Sequence, residues 1–482
     1  MRINRMVCAS LLVLLCAPGC AWKGISIKRD IDKINKRSVP LAKTSLSWDC
    51  KENSLEGSLC YAHPSSISAR LEQGISCQDA ISLALMNNPG LQADFETLGI
   101  ARADLVRAGL YENPRIDSIF QVPTSCSNDD VTQSFTVVSM NISDLWQVPL
   151  RQKISASELE IVSLRVFNKI LTLIRETKCA YARCLYAQSL IEYTDNICSQ
   201  LDEFTKKMAP HDNDHNNLVL QVNKAQFNLE RISRKHELYS AHLELKRLLG
   251  LRIDEGTLRL TDSLFEPHHR IPTIDELTVF AKEHNPDLEI AQWHKQKAED
   301  ILRYEKSRII HNVKAGFSYA RNFDRSKGLG GYVGLDVPLF DRNEGVSGGY
   351  YFRVRHAERE YQETLNKIMA QIHQLHHDLT STWHKMEAQA LLLEQCKKAL
   401  AKAVEQTHDM NLAMETFNRI YQETSGLFEL YRHMMNTQAT LEHITAGTFE
   451  MIPVIDSLDQ TGIPAIKDTL ALLAHASQTS LL

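Results

Sequence analysis

The chain has 482 residues, with 59 acidic and 54 basic side chains and a net charge of −5. That near-balance excludes a dedicated nucleic-acid binder, which carries a basic excess. Only 20 residues are glycine, so turn signals are sparse and long helices are expected, in several domains or one elongated one.

Arg2 and Arg5 precede an apolar run from Met6 to Ala17 that is too short to span a bilayer. Residues 1–19 therefore read as a signal peptide, outside the fold. The segment ends in Ala17-Pro18-Gly19-Cys20. A small residue before a cysteine resembles a bacterial lipobox, although Ala17 stands where Leu is usual and Pro18 is uncommon. The resemblance implies a lipid on Cys20. Ordinary signal cleavage beside an incidental cysteine is the competing reading. Ala21, rather than Asp, follows Cys20 and implies sorting to the outer membrane. Residues 20–75 are then an N-terminal lipid-anchored segment. No later stretch supplies the roughly 20 apolar residues of a membrane helix, so any crossing has to use strands in a closed barrel. The remaining cysteines show no Cys-x-x-Cys spacing. Cys50 and Cys60 suit a disulfide in an oxidising periplasm, and Cys179, Cys184 and Cys198 read as packed thiols in a helical run.

The first half, residues 76–251, opens with a helix predicted from about Cys77 to Tyr111 and broken near Asn88-Pro89. Proline has no N–H and disfavours helix just before itself, so Asn-Pro marks a break and a fresh start. Asn113-Pro114 ends this run. "RIDSIFQVP" and "TQSFTVVSMNISDLW" read as strands around the polar turn "SCSNDD". From Arg151 to Ala209 there is no Gly or Pro, which predicts one long helix. The polar stretch from Met208 to Leu218 turns it, and a second helix closes the half at "ELKRLLGL".

Residues 252–272 form a linker, and the second half, 273–452, repeats the order. Asp79 matches Glu276, Asn88-Pro89 matches Asn285-Pro286, Leu91 matches Leu288 and Phe120 matches Phe317, all at one constant offset. "HNVKAGFSYARNF" and "GLGGYVGLDVPLF" are the strands, with "DRSK" between them. In the last, Val333, Leu335, Val337 and Leu339 alternate with Tyr332, Gly334 and Asp336, one face suited to lipid and one to water. A half-buried strand in a soluble sheet alternates in the same way. Tyr350 to Ser425 again holds no Gly or Pro. Its seam (Val354, Ala357, Tyr361, Leu365, Ile368, Ile372, Leu375, Leu379, Trp383, Met386, Ala390, Leu393) steps by threes and fours, as in a coiled coil. The second turn is predicted within Arg419–His433, and residues 453–482 form a tail. Four strands cannot close a barrel, for which about eight is a practical minimum, so the chain has to combine with copies of itself.

"ALMNNPGLQADFETLGIARADLVRAGLYENP" resembles the first signature of the TolC-type outer membrane factors, and "GLDVPLFDRNEG" before a long helix resembles the second. "ELKRLLGL" and "NRIYQETSGLFEL" are similar to further patterns of the family. The likeness runs in order from roughly Ser76 to Ile452, and the N-terminus resembles the lipid-anchored branch. The resemblance implies a mainly α chain of long antiparallel coiled-coil helices with four strands and two structural repeats. It also implies a homotrimer with a 12-stranded transmembrane β-barrel among the outer membrane lipids and an α-helical tunnel across the periplasm. The implied role is a passive exit duct for small molecules or metal ions in a tripartite efflux system, docked to a periplasmic adaptor and an inner-membrane pump. No enzymatic activity and no cofactor are implied. A duct for type I protein secretion shares the fold, and a non-pore periplasmic coiled-coil lipoprotein is the reading from another class. The family carries acidic residues after the second turn, at the closing aperture. Glu429 matches the first of them, and Arg432 falls where the second is expected. Asp212 and Asp214 in the first turn are weaker gate candidates. His373, His376 and His377 share a helix face at ligand spacing, but no Cys or acidic partner completes a metal site, and they read as a solvated flank.

Overall fold

A computed structural model of the protein describes residues 26–43, 74–122, 124, 132–208, 214–252, 258–262, 272–310, 312–402 and 410–447. In chain order the elements are α1 (Lys28–Ala42), α2 (Cys77–Asn87), α3 (Pro89–Ala108), β1 (Arg115–Gln121), β2 (Gln133–Asn141), α4 (Asp144–Met208) and α5 (Asp214–Leu248). Then follow α6 (Ile274–His284), α7 (Pro286–Ser307), β3 (Lys314–Arg321), β4 (Lys327–Gly334), α8 (Glu344–Lys402) and α9 (Met410–Thr445). The chain is mainly helical, and the series helix, helix, strand, strand, helix, helix occurs twice behind α1. Helix α1 falls in the segment read from sequence only as a lipid-anchored stretch; Ile31, Ile34, Ser38 and Ala42 are its buried face.

Two compact units emerge. One takes Met1–Lys33, Phe95–Ser163 and Trp293–Glu358, so far as these are described. The other takes Ile34–Asp94, Leu164–Gln292 and Arg359–Leu482, again so far as described.

The first unit holds the sheet, antiparallel in the order β1-β2-β3-β4. The β2–β3 ladder joins the two hairpins, pairing Val138 with Phe317 and Ser139 with Gly316. β2 stops at Asn141 and α4 starts at Asp144, inside the stretch predicted as strand. Asn141 Oδ1 accepts the Ser143 N–H at 3.1 Å, and the Asp144 carboxylate accepts the Glu112 N–H at 2.6 Å, which turns the chain there. β4 ends at Gly334, short of the predicted Phe340. Its partner runs out at the same level, where Lys314 pairs with Gly334. Beyond it Pro338 has no N–H to give to a ladder, and the Leu339 N–H turns back to the Val337 carbonyl at 2.9 Å.

In the second unit the two Asn-Pro pairs do one job twice. Asn88 follows α2, and its Oδ1 accepts the N–H groups of Gly90 (2.9 Å) and Leu91 (3.2 Å), capping α3 with Pro89 in the first helical position. Its Nδ2 donates to the Leu248 carbonyl at the end of α5, 3.1 Å away. Asn285 Oδ1 accepts from Asp287 (2.9 Å) and Leu288 (3.1 Å), and its Nδ2 donates to the Ile444 carbonyl near the end of α9 at 2.6 Å. Each asparagine thus starts one helix and ties it to the last helix of its own half. The preceding helices open with matching capping boxes, Ser76 with Asp79 and Thr273 with Glu276. Gly250 closes α5 at φ +67°, and a Cβ there would lie 2.4 Å from the Asn87 carbonyl oxygen, so both the turn and the close approach require glycine.

The predicted seam of α8 is its packed face. Ile368, Ile372, Leu379 and Met386 are buried with Leu277, Ala281 and Leu288 of α6 and α7 and with Met434 and Leu441 of α9. α8 is described as far as Lys402 and α9 from Met410, and Gln389 of α8 donates to the Glu423 carbonyl of α9 at 2.9 Å. This corrects the expected second turn: Arg419–His433 is not a turn but the middle of α9. Gly426 sits there because α8 comes close: a Cβ on it would meet Gln389 Nε2 at 2.4 Å. The Thr424 and Ser425 hydroxyls bond back to the Ile420 and Tyr421 carbonyls, within the helix. Cys77, Cys179, Cys184, Cys198 and Cys396 are free thiols, and Cys184, Cys198 and Cys396 are buried. Cys50 and Cys60 lie outside the described residues.

Candidate functional site

The register sorts the strand residues onto two faces. One face carries the rows Met140–Ala315–Val333, Ile116–Val138–Phe317–Gly331, Ser118–Thr136–Tyr319–Leu329 and Phe120–Ser134–Arg321–Lys327. Ile116, Phe120, Phe317, Leu329 and Val333 are each more than half exposed. The apolar residues are densest at the helix end of this face, Tyr319 and Leu329 lie in its middle beside Ser118 and Thr136, and at the hairpin end Phe120 shares a row with the Arg321–Lys327 pair. The opposite face carries Arg115, Asp117, Gln121, Gln133, Ser139, Asn141, Lys314 and Ser318 with several glycines, and also the apolar row Ile119–Phe135–Ala320 and the side chains of Val137 and Tyr332. An exposed apolar patch of this kind marks a surface for a membrane or a partner. Among the described residues, β1 and β4 each leave one edge unpaired. Among the described residues no helix is long and apolar enough to cross a membrane.

The second unit brings together the two principal gate candidates. Arg432 pairs with Glu429 one turn earlier on α9, through both Nε (3.0 Å) and Nη2. Its guanidinium lies 5.5 Å from the ring centre of Tyr186 on α4. Tyr186 is buried, and burial together with the charge of Glu237 and Glu429 pushes its hydroxyl up to about 12. Glu237 in turn pairs with Arg234 at 2.9 Å, and Arg234 with Glu230 at 2.5 Å. The pair therefore belongs to a charged cluster of α4, α5 and α9. It lies about five turns into α9, not beside a helix–helix turn. Asp214 is the first residue of α5, while Asp212 and Cys20 lie outside the described residues. His373 and His377 are exposed and His376 half-buried on α8. Among the described residues no three His, Cys, Asp or Glu side chains gather as metal ligands.

The sequence reading missed the aromatic core of the same helices. Tyr193 stacks on Tyr421 at 5.5 Å, and Phe227 meets Tyr421 edge-on at 5.0 Å. The signal was present in Phe417, Tyr421 and Phe428, which recur at helical spacing.

His443, in the last turn of α9, lies 3.1 Å from Thr172 Oγ1. Burial first, and the nearby Arg175 second, lower its pKa to about 4. The folded state thus resists the proton that the unfolded chain accepts near the ordinary value of about 6.5. The contribution of His443 to stability is complete above that value and is lost as the pH falls toward about 4. Thermal unfolding scans should show a slope across this window that His443→Gln flattens; an identical slope in the variant would assign it to another group.

No protein-family model matches the chain, and no curated protein does. Solved structures do. The chain is similar to the outer-membrane channel OprN at 14% identity and a TM-score of 0.64, over 77% of this chain and 90% of that one. It is similar to the outer membrane protein VceC of Vibrio cholerae at 14% identity and a TM-score of 0.64, over 78% and 97%. The CmeC outer membrane channel of Campylobacter jejuni aligns over 91% of this chain and 95% of its own, at 14% identity and a TM-score of 0.58. The chain has the fold of the TolC-type outer membrane factors.

Proposed function

We propose that the protein is an outer membrane channel, the passive exit duct of a tripartite efflux system for small molecules or metal ions. The observation that carries this reading is the four-stranded sheet, with most of its exposed apolar side chains on one face, charged and amide side chains more frequent on the other and, among the described residues, two unpaired edges. Unpaired N–H and C=O groups are not tolerated against lipid. Three copies bring twelve strands, enough to close a barrel with the more apolar face outward and the more polar face inward. On this reading residues 76–251 and 273–452 are structural repeats, each giving one hairpin to the barrel and one long helical pair to a periplasmic tunnel. A periplasmic adaptor and an inner-membrane pump complete the system, and cargo is chosen by the pump. The purified protein reconstituted in planar bilayers should conduct in discrete steps of uniform size. Bilayers that stay silent, with the protein folded and inserted, would leave the non-pore lipoprotein reading in its place.

Glu429 and Arg432 set a constriction in this duct, at the level of Tyr186. The threefold axis makes each a ring of three, and the ion pairs neutralise what would otherwise be like-charge rings. A partly exposed pair is worth only about 0.2–1 kcal/mol, so the three act together. Glu429→Ala or Arg432→Ala should each raise single-channel conductance, and the double variant should add little to either. Wild-type conductance in both single variants at low salt, where such pairs are strongest, would move the constriction elsewhere.

Cys20 carries the lipid anchor on this reading. Cys20→Ala should lose labelling by a fatty-acid analogue while conductance persists, because the barrel holds the membrane by itself. Labelling that survives the substitution removes the anchor from Cys20.

A further inference from the structure

The apolar face of the sheet does not stop where the ladder stops. On β4 the apolar positions inside the ladder run only from Leu329 to Val333, about 13 Å at about 3.3 Å per residue. A barrel in an outer membrane presents an apolar band about 25 Å tall. On β4 the deficit is not met at the hairpin end, because Lys327 with Arg321 beside it closes that side of the face, and of the apolar residues at that end Phe120 belongs to β1 and Val122 follows it. At the other end the chain continues with Leu335, Val337, Leu339 and Phe340, all more than half exposed, and Phe340 fully so. This stretch is pinned rather than loose. Asn312 Nδ2 donates to Asp336 Oδ2 at 2.9 Å, which draws Asp336 away from the apolar side of its neighbours. Asn343 Nδ2 donates to the Glu305 carbonyl at 2.7 Å and to its carboxylate at 3.1 Å, anchoring the far end to α7. Between the two tethers, the bond from Leu339 N–H to Val337 O at 2.9 Å folds the segment at Pro338. Tyr111 and Ile310, at the two helix-to-strand junctions, are likewise at least half exposed.

We propose that the tethered segment 335–340 is a lipid-contact loop. It carries the apolar band of β4 past the end of the strand into the inner leaflet of the outer membrane. The proposal rests on the barrel reading, since its continuity with the apolar sheet face is what selects lipid as the occupant. Arg342, exposed just beyond Phe340, is placed to meet anionic phosphate at the headgroup level.

The test is depth-resolved quenching of an introduced tryptophan. The full-length protein is reconstituted in phosphatidylcholine vesicles with brominated acyl chains. The extra emission of Phe340→Trp is read against the unmodified protein, with Leu339→Trp as a second position and Leu329→Trp as the barrel control. The proposal expects bromine to quench most of the added emission at 339 or 340, and aqueous acrylamide to quench little of it. Three outcomes would overturn it. Quenching of Leu329→Trp by bromine, with 339 and 340 quenched by acrylamide, leaves the barrel standing and the loop in water. Protection of 339 and 340 from both quenchers places the loop against another subunit. Failure of all three positions to respond to bromine removes the barrel reading itself.

Discussion

Gly316→Val should prevent the sheet from forming. Gly316 stands opposite Ser139 in the ladder that joins the two hairpins. A Cβ at this position would lie 2.0 Å from the Val138 carbonyl oxygen and 2.8 Å from the Ser139 Cα. These are backbone atoms of the paired strand, so no rotamer change relieves the clash, and the ladder has to open. Overpacking inside a tight structure costs about 1–3 kcal/mol where side chains can give way; against backbone the cost is at the top of that range or beyond it. Gly316→Ala should show the same defect more weakly. The strands should fail to resist trypsin in detergent, and assembled species should vanish on mild gels. A Gly316→Val protein that assembles normally would show that β2 and β3 are not paired in this register.

Asn285→Ala should destabilise the helical unit more than Asn88→Ala. Asn285 is buried, and its amide makes three hydrogen bonds that cap α7 and hold it to α9. Its removal deletes an N-cap worth about 1 kcal/mol. It also strands the half-buried Ile444 carbonyl, which costs up to about 1–3 kcal/mol where water does not reach it. A loss of about 2–4 kcal/mol is expected. Asn285→Asp keeps the capping oxygen but loses the donor, and should fall between the two. Asn88 makes the equivalent bonds from a half-buried position beside exposed Pro89 and Gly90, so water replaces part of what is lost. Thermal melts of the three variants followed by circular dichroism check the order, and equal losses at the two sites would deny the burial argument.

These two sites also show what the sequence could and could not say. The Asn-Pro pairs were legible as helix breaks because proline acts locally, and their constant offset exposed the twofold order of elements. That the asparagine amide reaches the end of a helix some 160 residues later was not legible, because that bond exists only once the helices pack. The seam of α8 was readable from its spacing and is the packed face. The change from α8 to α9 was not readable, since the sequence between Lys402 and Met410 contains no Gly or Pro. The one glycine nearby, Gly426, invited a turn there, yet it serves a close helix–helix approach to Gln389. The same misplaced turn put Glu429 and Arg432 at a tip. Their chemistry as a pair was legible from the spacing of three; their height along α9 was not. In the strands, alternation located β4, but its end depended on where its partner β3 ran out.

The central claim is that the chain builds its barrel by sharing, four strands from each of three copies. The most direct measurement is the mass of the protein in mild detergent, by light scattering corrected for bound detergent, with circular dichroism on the same sample. The account predicts a single species of three chains with its strand signal present. A monomer with the strand signal intact would contradict it, because a four-stranded sheet stable alone needs no partner to cover its edges.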